Sequence, residues 1–200
     1  MKVTQAHVHA RRAQILKAAL NCFIVNGFQR STMHDICREA NLSPGAVYGY
    51  FKGKEDIVEA LAALSTDRNR ALFAPIEQAK EVTPQVIAAG LEKFVRLLES
   101  ADAGAIRMDI ELMAEALHVP RLMHLAITSY KGMIAALSRV IQRGQATGHI
   151  KPSLNAEITA RFIFSAIQGL SAQKLFAPDL DLAAYGALLA HVIEATLTPA

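Results

Sequence analysis

The stretch Ser31–Leu61, STMHDICREANLSPGAVYGYFKGKEDIVEAL, decides the fold of the N-terminal part of this 200-residue chain. Ser31 and Thr32 can cap a helix whose first turn carries Asp35, because hydroxyl oxygens accept from the free N–H groups of a helix start and a carboxylate favours its positive end. A short turn, NLS, follows. Pro44 is acceptable in the first turn of a second helix, which the preceding serine can cap. Two short helices joined in this way predict a helix-turn-helix.

The second helix of this motif is the element that we expect to enter the major groove of DNA. Small residues let its backbone approach a groove wall, and two tyrosines project beyond them. Lysines follow near the start of a third helix, where they can meet phosphates. These residues are Gly45, Ala46, Tyr48, Gly49, Tyr50, Lys52 and Lys54.

Base readout by the second helix is restricted by its composition. The helix contains no Arg, Asn or Gln between Ser43 and Phe51, so it cannot make bidentate contacts with base edges. Sequence selectivity is therefore predicted to depend on apolar contacts and DNA shape, or on residues outside the helix. The candidates outside it are Met33, His34, Arg11 and Arg12.

Residues 12–61 resemble the DNA-binding domain of the TetR family of bacterial transcriptional regulators. The likeness consists of an apolar series in the first helix, a Gly-Phe pair at its end, and the order Tyr-x-Tyr-Phe-Lys-x-Lys. The matching residues are Ile15, Ala18, Ala19, Phe23, Gly27, Phe28, Ser31, Thr32, Ile36, Tyr48, Tyr50, Phe51, Lys52 and Lys54. The chain departs from the family at Cys37, where alanine is usual, although a small buried thiol fits the same volume.

The resemblance implies a role for each part of the motif. Thr32 would touch phosphate from the start of the first motif helix, and the second motif helix would face the major groove. Lys54 would bind phosphate together with the helix N-terminus behind it. The predicted DNA interface comprises Thr32, Met33, Ser43, Pro44, Gly45, Ala46, Tyr48, Gly49, Tyr50, Lys52 and Lys54.

Composition supports this interpretation without deciding it. Hydrophobic residues make up 52% of the chain, which is ample for a buried core. Residues 1–60 contain eight Lys and Arg against five Asp and Glu, whereas residues 61–200 contain thirteen of each. The net charge of +3 therefore lies with the predicted DNA-binding part, although ordinary scatter would also produce it. Without a long apolar segment or the apolar core of a signal peptide, we expect a cytoplasmic protein with no membrane partner.

Catalytic, metal and redox sites are not predicted. Cys22 and Cys37 lack CxxC spacing and are interpreted as packing residues, with a thiol sensor as the alternative if they are exposed. Glu115-x-x-His118 has the spacing of di-iron sites in helical bundles, but such a site needs a second copy of the motif, which the chain lacks. No nucleophile signature or phosphate-binding loop is present. We expect no cofactor.

Helical periodicity runs through every long segment, and none alternates like a strand. We predict an all-α protein of about nine helices, the usual TetR number, with a helix-turn-helix DNA-binding domain at residues 1–54 and a helical effector-binding and dimerisation domain at residues 55–200. Outside the motif, helices are predicted at about 8–26, 54–73, 84–100, 104–117, 120 to 144 or 148, 156–176 and 181–197, with a break at 101–104.

The last two helices carry more apolar surface than one core-facing stripe needs, interleaved with small residues. We predict that their second face forms a two-fold four-helix interface, since a palindromic DNA site needs paired readers. The alternative is that both helices are simply central within the monomer. The predicted interface residues are Phe162, Ala166, Gly169, Ala184, Leu188 and Val192.

The middle helices, about residues 84–144, are the predicted effector-binding region, because the resemblance implies release of DNA on binding a small molecule there. Methionine and aromatic residues line adaptable apolar pockets, although the same spacing is typical of plain core. The predicted pocket residues are Phe94, Met108, Glu111, Leu112, Met123, Ile127, Tyr130 and Phe162. Residues 110–120 are similar to the effector domain of repressors grouped with the choline-betaine regulator, which does not carry over a ligand.

These observations predict a homodimeric transcriptional regulator, most simply a repressor that binds a palindromic operator in double-stranded DNA and is released by a small-molecule effector. The alternative from another functional class is a helical small-molecule-binding protein, or a bundle enzyme, without specific DNA binding.

Overall fold

The computed structural model describes residues 5–100 and 103–199. Within these ranges the chain is all-α, as predicted, and contains no strand. The nine helices are α1 Gln5–Asn26, α2 Met33–Glu39, α3 Pro44–Tyr48, α4 Lys54–Glu77, α5 Pro84–Ser100, α6 Ala103–Ala116, α7 Pro120–Ala146, α8 Ala156–Phe176 and α9 Leu182–Leu197. In this part of the chain, every helix falls short of the length and apolar character that crossing a bilayer requires.

Helix starts agree closely with the predicted ones because they are encoded locally. Ser43, Asn155 and Asp181 each accept a hydrogen bond from a backbone N–H in the first turn of the helix that follows. Pro120 opens α7 as expected. The predicted break at residues 101–104 lies partly outside the described ranges.

Helix α4 is longer than predicted. It was expected to end near Phe73, but it continues to Glu77 with Pro75 inside it. The Arg143 guanidinium donates to the carbonyl of Glu77 at 2.6 Å and to that of Ala79. The distant Arg143 therefore satisfies carbonyl oxygens at the end of α4 and stabilises that end. Local sequence does not reveal this tertiary contact.

The described residues fall into two compact units. Unit 1 comprises the residues up to Ser65 together with Arg107–Ala126, and unit 2 comprises Thr66–Ile106 together with the residues from Ile127 onward. Helices α4, α6 and α7 each contribute residues to both units. The functional division at residue 54 stays a prediction.

Unit 1 has a core into which each of the first four helices inserts apolar side chains. Ile15, Ile36, Val47, Phe51 and Ile57 are all at most 2% exposed. α3 is only five residues long, and a helix of this length is not stable in isolation. Burial of its Val47 side chain stabilises it.

The turn between α2 and α3 contains Asn41, whose φ of 53° lies in the left-handed region. Asparagine tolerates this conformation better than other non-glycine residues do. The conformation directs the chain from one helix of the motif into the next.

Unit 2 uses glycines where its elements approach closely. A Cβ on Gly186 of α9 would lie 3.1 Å from Val95 of α5, so the absence of a side chain sets the spacing of these two helices. Gly144, in the last turn of α7, is covered by the following loop, whose His149 and Ile150 N–H groups donate to its carbonyl at 2.9 and 3.0 Å.

We predict that Gly144→Ala destabilises unit 2, since the added methyl would lie 2.4 Å from Ile150 Cδ1 and 2.8 Å from the Val82 carbonyl oxygen. Overpacking of this kind costs about 1–3 kcal/mol. The matched control is Gly132→Ala in the same helix, where nothing lies within 4 Å of the new methyl and helix propensity favours alanine. Urea unfolding followed by circular dichroism should show a lower midpoint for Gly144→Ala alone. Equal midpoints for the two variants would contradict the close approach.

Candidate nucleic-acid interface

A capping box fixes the start of α2. The Asp35 backbone N–H donates to Thr32 Oγ1 at 3.1 Å, while Asp35 Oδ2 accepts from the Thr32 N–H at 3.0 Å and from its hydroxyl at 2.6 Å. These hydrogen bonds from Thr32, and to a smaller extent the nearby Arg38, lower the pKa of the Asp35 carboxyl. The capping box thus fixes Thr32 at the start of α2, where it is exposed. This is the position from which it is predicted to contact phosphate.

The outer face of α3 carries most of the predicted groove residues. Ser43, Pro44, Gly45 and Gly49 are exposed and Ala46 is half-buried. Ser43 Oγ accepts from the Ala46 N–H at 3.3 Å, which caps the helix. A Cβ on Gly45 would meet nothing within 4 Å. The backbone of α3 is therefore accessible along this face.

The two tyrosines of the motif differ in their surroundings. Tyr48 is 52% exposed and projects from α3, as predicted. Tyr50 is half-buried and, like Met33, packs partly against the core of unit 1. Tyr50 is therefore less exposed than Tyr48, and its contact with the groove stays a prediction.

The two predicted phosphate lysines are also in different environments. Lys52 has an exposed side chain, and its backbone N–H donates to Asp56 at 2.9 Å. The Lys54 ammonium donates to the carbonyl oxygens of Phe28 at 2.7 Å and Gln29 at 3.3 Å. It also lies 4.3 Å from the centre of the Phe28 ring. An ammonium has three donors, so one remains for a phosphate.

The N-terminal arginines pack on the motif. The Arg12 guanidinium lies 4.4 Å from the centre of the Phe51 ring, and Arg11 donates to Gln14 Oε1 at 2.9 Å. Gln14 in turn donates to the Ala40 carbonyl at 2.8 Å, at the end of α2. Arg12 therefore contacts the helix-turn-helix directly, and Arg11 is connected to it through Gln14.

One contact was missed by sequence reasoning. Gln29, in the loop after α1, donates through Nε2 to Glu115 Oε1 of α6 at 2.8 Å. Glu115 is only 7% exposed, and burial raises its pKa, although His118, Lys54 and the hydrogen bond from Gln29 act in the opposite direction. The partners are 86 positions apart in the sequence, so no local signal predicts this contact.

An open cleft lies beside this contact in unit 1. Its volume is about 280 Å³, and it is lined by loop residues 26–30 and by Glu111, Ala114, Glu115 and His118 of the segment that ends α6. Among the described residues, no group of three His, Cys, Asp or Glu side chains is arranged to hold a metal ion.

The predicted effector-pocket residues are not gathered in one place within either unit. Met108, Glu111 and Leu112 line a cavity of about 20 Å³ in unit 1, which has room for about one water molecule. Met123 also belongs to unit 1, whereas Phe94, Ile127, Tyr130 and Phe162 belong to unit 2. Met108 is a core residue at 7% exposure.

The residues of this set in unit 2 have separate surroundings. Phe94 is half-buried against the core. Tyr130 packs edge-on against Phe164, with ring centres 5.5 Å apart, and its hydroxyl accepts from Arg161 at 2.5 Å. Phe162 is 50% exposed. Effector binding at these residues stays a prediction.

The outer faces of α8 and α9 carry exposed apolar rows. Phe162, Leu188 and Val192 are 50%, 62% and 37% exposed, and Gly169 and Ala184 are also exposed. Ala166, the remaining predicted interface residue, is half-buried. The opposite faces of both helices lie in the core of unit 2. Each helix is therefore apolar on two sides.

Both cysteines are buried and free. Burial raises the pKa of Cys22 and of Cys37, which disfavours the reactive thiolate at neutral pH. This agrees with their interpretation as packing residues.

Two family models match the chain. Residues 15–61 match "Bacterial regulatory proteins, tetR family", and residues 85–198, more than half of the chain, match "BetI-type transcriptional repressor, C-terminal". The chain belongs to the TetR family of transcriptional regulators. The predictions of an all-α fold and of a DNA-binding regulator rather than an enzyme are thereby confirmed.

Relatives and solved structures agree with the family. The HTH-type transcriptional regulator UidR of Escherichia coli (strain K12) is 28% identical over 169 residues, 84% of this chain and 83% of UidR. Salmonella enterica GusR has a TM-score of 0.80 at 24% identity, covering 98% of this chain and 99% of GusR. FadR from Bacillus subtilis, solved in complex with stearoyl-CoA, has a TM-score of 0.75 at 22% identity, covering 92% of this chain and 98% of FadR. The two structures show the shared fold.

We predict that Glu115→Gln raises the thermal midpoint at about pH 7.5. The pKa of Glu115 is higher in the folded chain than its ordinary value of 4.5, so ionisation of this buried carboxyl opposes folding. The advantage of glutamine should disappear as pH falls below about 4.5, where the wild-type carboxyl is protonated in both states.

The control is Glu81→Gln, which alters an exposed carboxyl and should leave the midpoint unchanged at every pH. A constant difference between Glu115→Gln and wild type from pH 4 to 8 would contradict a raised pKa.

Proposed function

We propose that this TetR-family regulator is a homodimeric repressor that acts on DNA in the cytoplasm, binds a palindromic operator and is released by a small-molecule effector. The observation that carries the proposal is the outer face of α3. Its inner side is anchored by Val47, which is fully buried, while Tyr48 and the glycine backbone beside it remain accessible. A rigid helix with an accessible outer face suits insertion into a major groove.

Phosphate contacts would position α3 on the duplex. The two lysines before and at the start of α4 supply ammonium donors, and Thr32 lies exposed at the start of α2 in the same unit. Such contacts contribute affinity without sequence information. Sequence selectivity would then come from Tyr48 and from DNA shape, because α3 has no side chain that can bind a base edge in bidentate fashion.

Dimerisation through the outer faces of α8 and α9 would place two copies of α3 on successive half-sites. The exposed rows contain large apolar side chains that a monomer would leave in water. The small residues Gly169 and Ala184 would let helices of two subunits approach closely. A two-fold axis between identical faces matches a palindromic operator.

A small-molecule effector is supported by the BetI-type match over residues 85–198 and by the FadR complex with stearoyl-CoA. Ligand binding would favour a spacing of the two DNA-binding heads that no longer matches successive grooves. Helix α4 is suited to transmit this change, because it contributes residues to both units.

The first experiment is selection of bound fragments from randomised duplex DNA by the purified chain at about physiological salt, which suppresses non-specific binding. Enrichment of one palindrome is the expected result. Enrichment of a single half-site would refute the dimeric mode of binding, and no enrichment would favour a small-molecule-binding protein without specific DNA binding.

We predict different effects for substitutions of the tyrosine and the lysine. Tyr48→Ala should weaken binding to the selected palindrome by about tenfold, equivalent to about 1.4 kcal/mol, and leave random DNA little affected. Lys54→Met should weaken binding to both DNAs and lower the slope of log affinity against log salt by about 0.9. Fluorescence anisotropy over a salt series measures both quantities. Equal losses on both DNAs for Tyr48→Ala would contradict a role in selectivity.

We predict that Leu188→Glu converts the dimer to a monomer. Two buried carboxylates facing each other across a two-fold axis would be desolvated without a partner. Light scattering coupled to gel filtration should show half the mass of wild type. The control, Val25→Glu, replaces a side chain that is 77% exposed in unit 1 and should leave the mass unchanged. A Leu188→Glu variant that remains dimeric would place the interface elsewhere.

A further inference from the structure

The Lys54 ammonium is held by the chain itself. Its two hydrogen bonds end on the Phe28 and Gln29 carbonyls, and the Phe28 ring lies beneath it. A lysine free in solution must lose rotamer freedom to reach a phosphate, and prior orientation reduces this cost. The strength of the proposed phosphate contact therefore depends on how firmly the loop after α1 is held.

The side chain of Gln29 ties this loop to α6. Its partner Glu115 is 7% exposed and lies in the last turn of that helix, in the same unit. Both Gln29 and Glu115 line the open cleft of about 280 Å³. Phe28 of the same loop is buried in the core of unit 1, and the contact from Gln29 to Glu115 adds a second restraint on the position of the loop.

We propose that Glu115 is a positioning residue for DNA binding: by accepting from Gln29 it holds the loop whose carbonyls orient Lys54 toward phosphate. The inference rests on the proposed function, because it assumes that Lys54 contacts DNA.

The test measures DNA affinity for the full-length chain, on the selected palindrome and over a salt series. Gln29→Ala removes the tether and should weaken binding by about 3- to 10-fold, the cost of ordering one side chain. Because Gln29 is exposed, this variant should retain wild-type helicity, which circular dichroism checks. Glu115→Gln keeps an oxygen acceptor and should bind DNA within about twofold of wild type. Gln142→Ala, an exposed glutamine of α7, is the matched control and should not change affinity.

The deciding measurement is Gln29→Ala in a Lys54→Met background. If Gln29 acts through Lys54, Gln29→Ala should not lower DNA affinity further in the Lys54→Met background. The double variant should then have the same salt slope as Lys54→Met alone. A merely structural role would lower affinity by the same factor in both backgrounds, and that result overturns the inference while leaving the proposed function intact. A Lys54→Met variant that binds like wild type also overturns it. A wild-type chain that binds no DNA overturns both this inference and the proposed function.

Discussion

Burial of Val47 and Phe51 is the constraint on which the outer face of α3, the predicted DNA-binding face, depends. α3 has a single turn and a little more, too few residues to stay helical in water by its own hydrogen bonds. Its inner side chain and the phenylalanine that follows are almost wholly removed from solvent, among apolar residues of α1, α2 and α4. This packing holds the outer face in place before any DNA is present, so the helix need not be ordered on binding.

Polar contacts then refine what the core has positioned. The capping box of Thr32 and Asp35 is formed between neighbours in sequence, and its partners could be recognised from their spacing. The hydrogen bonds of Lys54 to the loop after α1, and of Gln29 to Glu115, join segments far apart in the chain. The Lys54 ammonium lies against backbone carbonyls, and the Gln29 amide lies against a buried carboxyl. Electrostatic interactions at such sites are stronger than in water. The orientation of the Lys54 side chain is thus a property of the assembled unit.

Small residues have two uses in the C-terminal helices, which sequence alone does not distinguish. Gly186 faces α5 and sets an internal helix spacing, whereas Gly169 lies on the open side of α8 with nothing within 4 Å of its missing Cβ. Glycine therefore allows two helices to pack closely inside unit 2 at Gly186, whereas at Gly169 it lies on an exposed apolar face. Helical periodicity likewise does not distinguish the lining of an effector pocket from core, because the spacing of Met108 and Leu112 is typical of both.

The sequence by itself determined the helical class, most helix starts, the helix-turn-helix and the family, because caps, turns and apolar periodicity are encoded within a few residues of one another. Tertiary structure decided where α4 ends, that Tyr48 is more exposed than Tyr50, that Met108 is core, and that Glu115 accepts from Gln29. Each of these depends on a partner distant in sequence. The free energy that selects such partners is the burial of apolar area and the satisfaction of polar groups in the packed chain, and no local window of residues contains it.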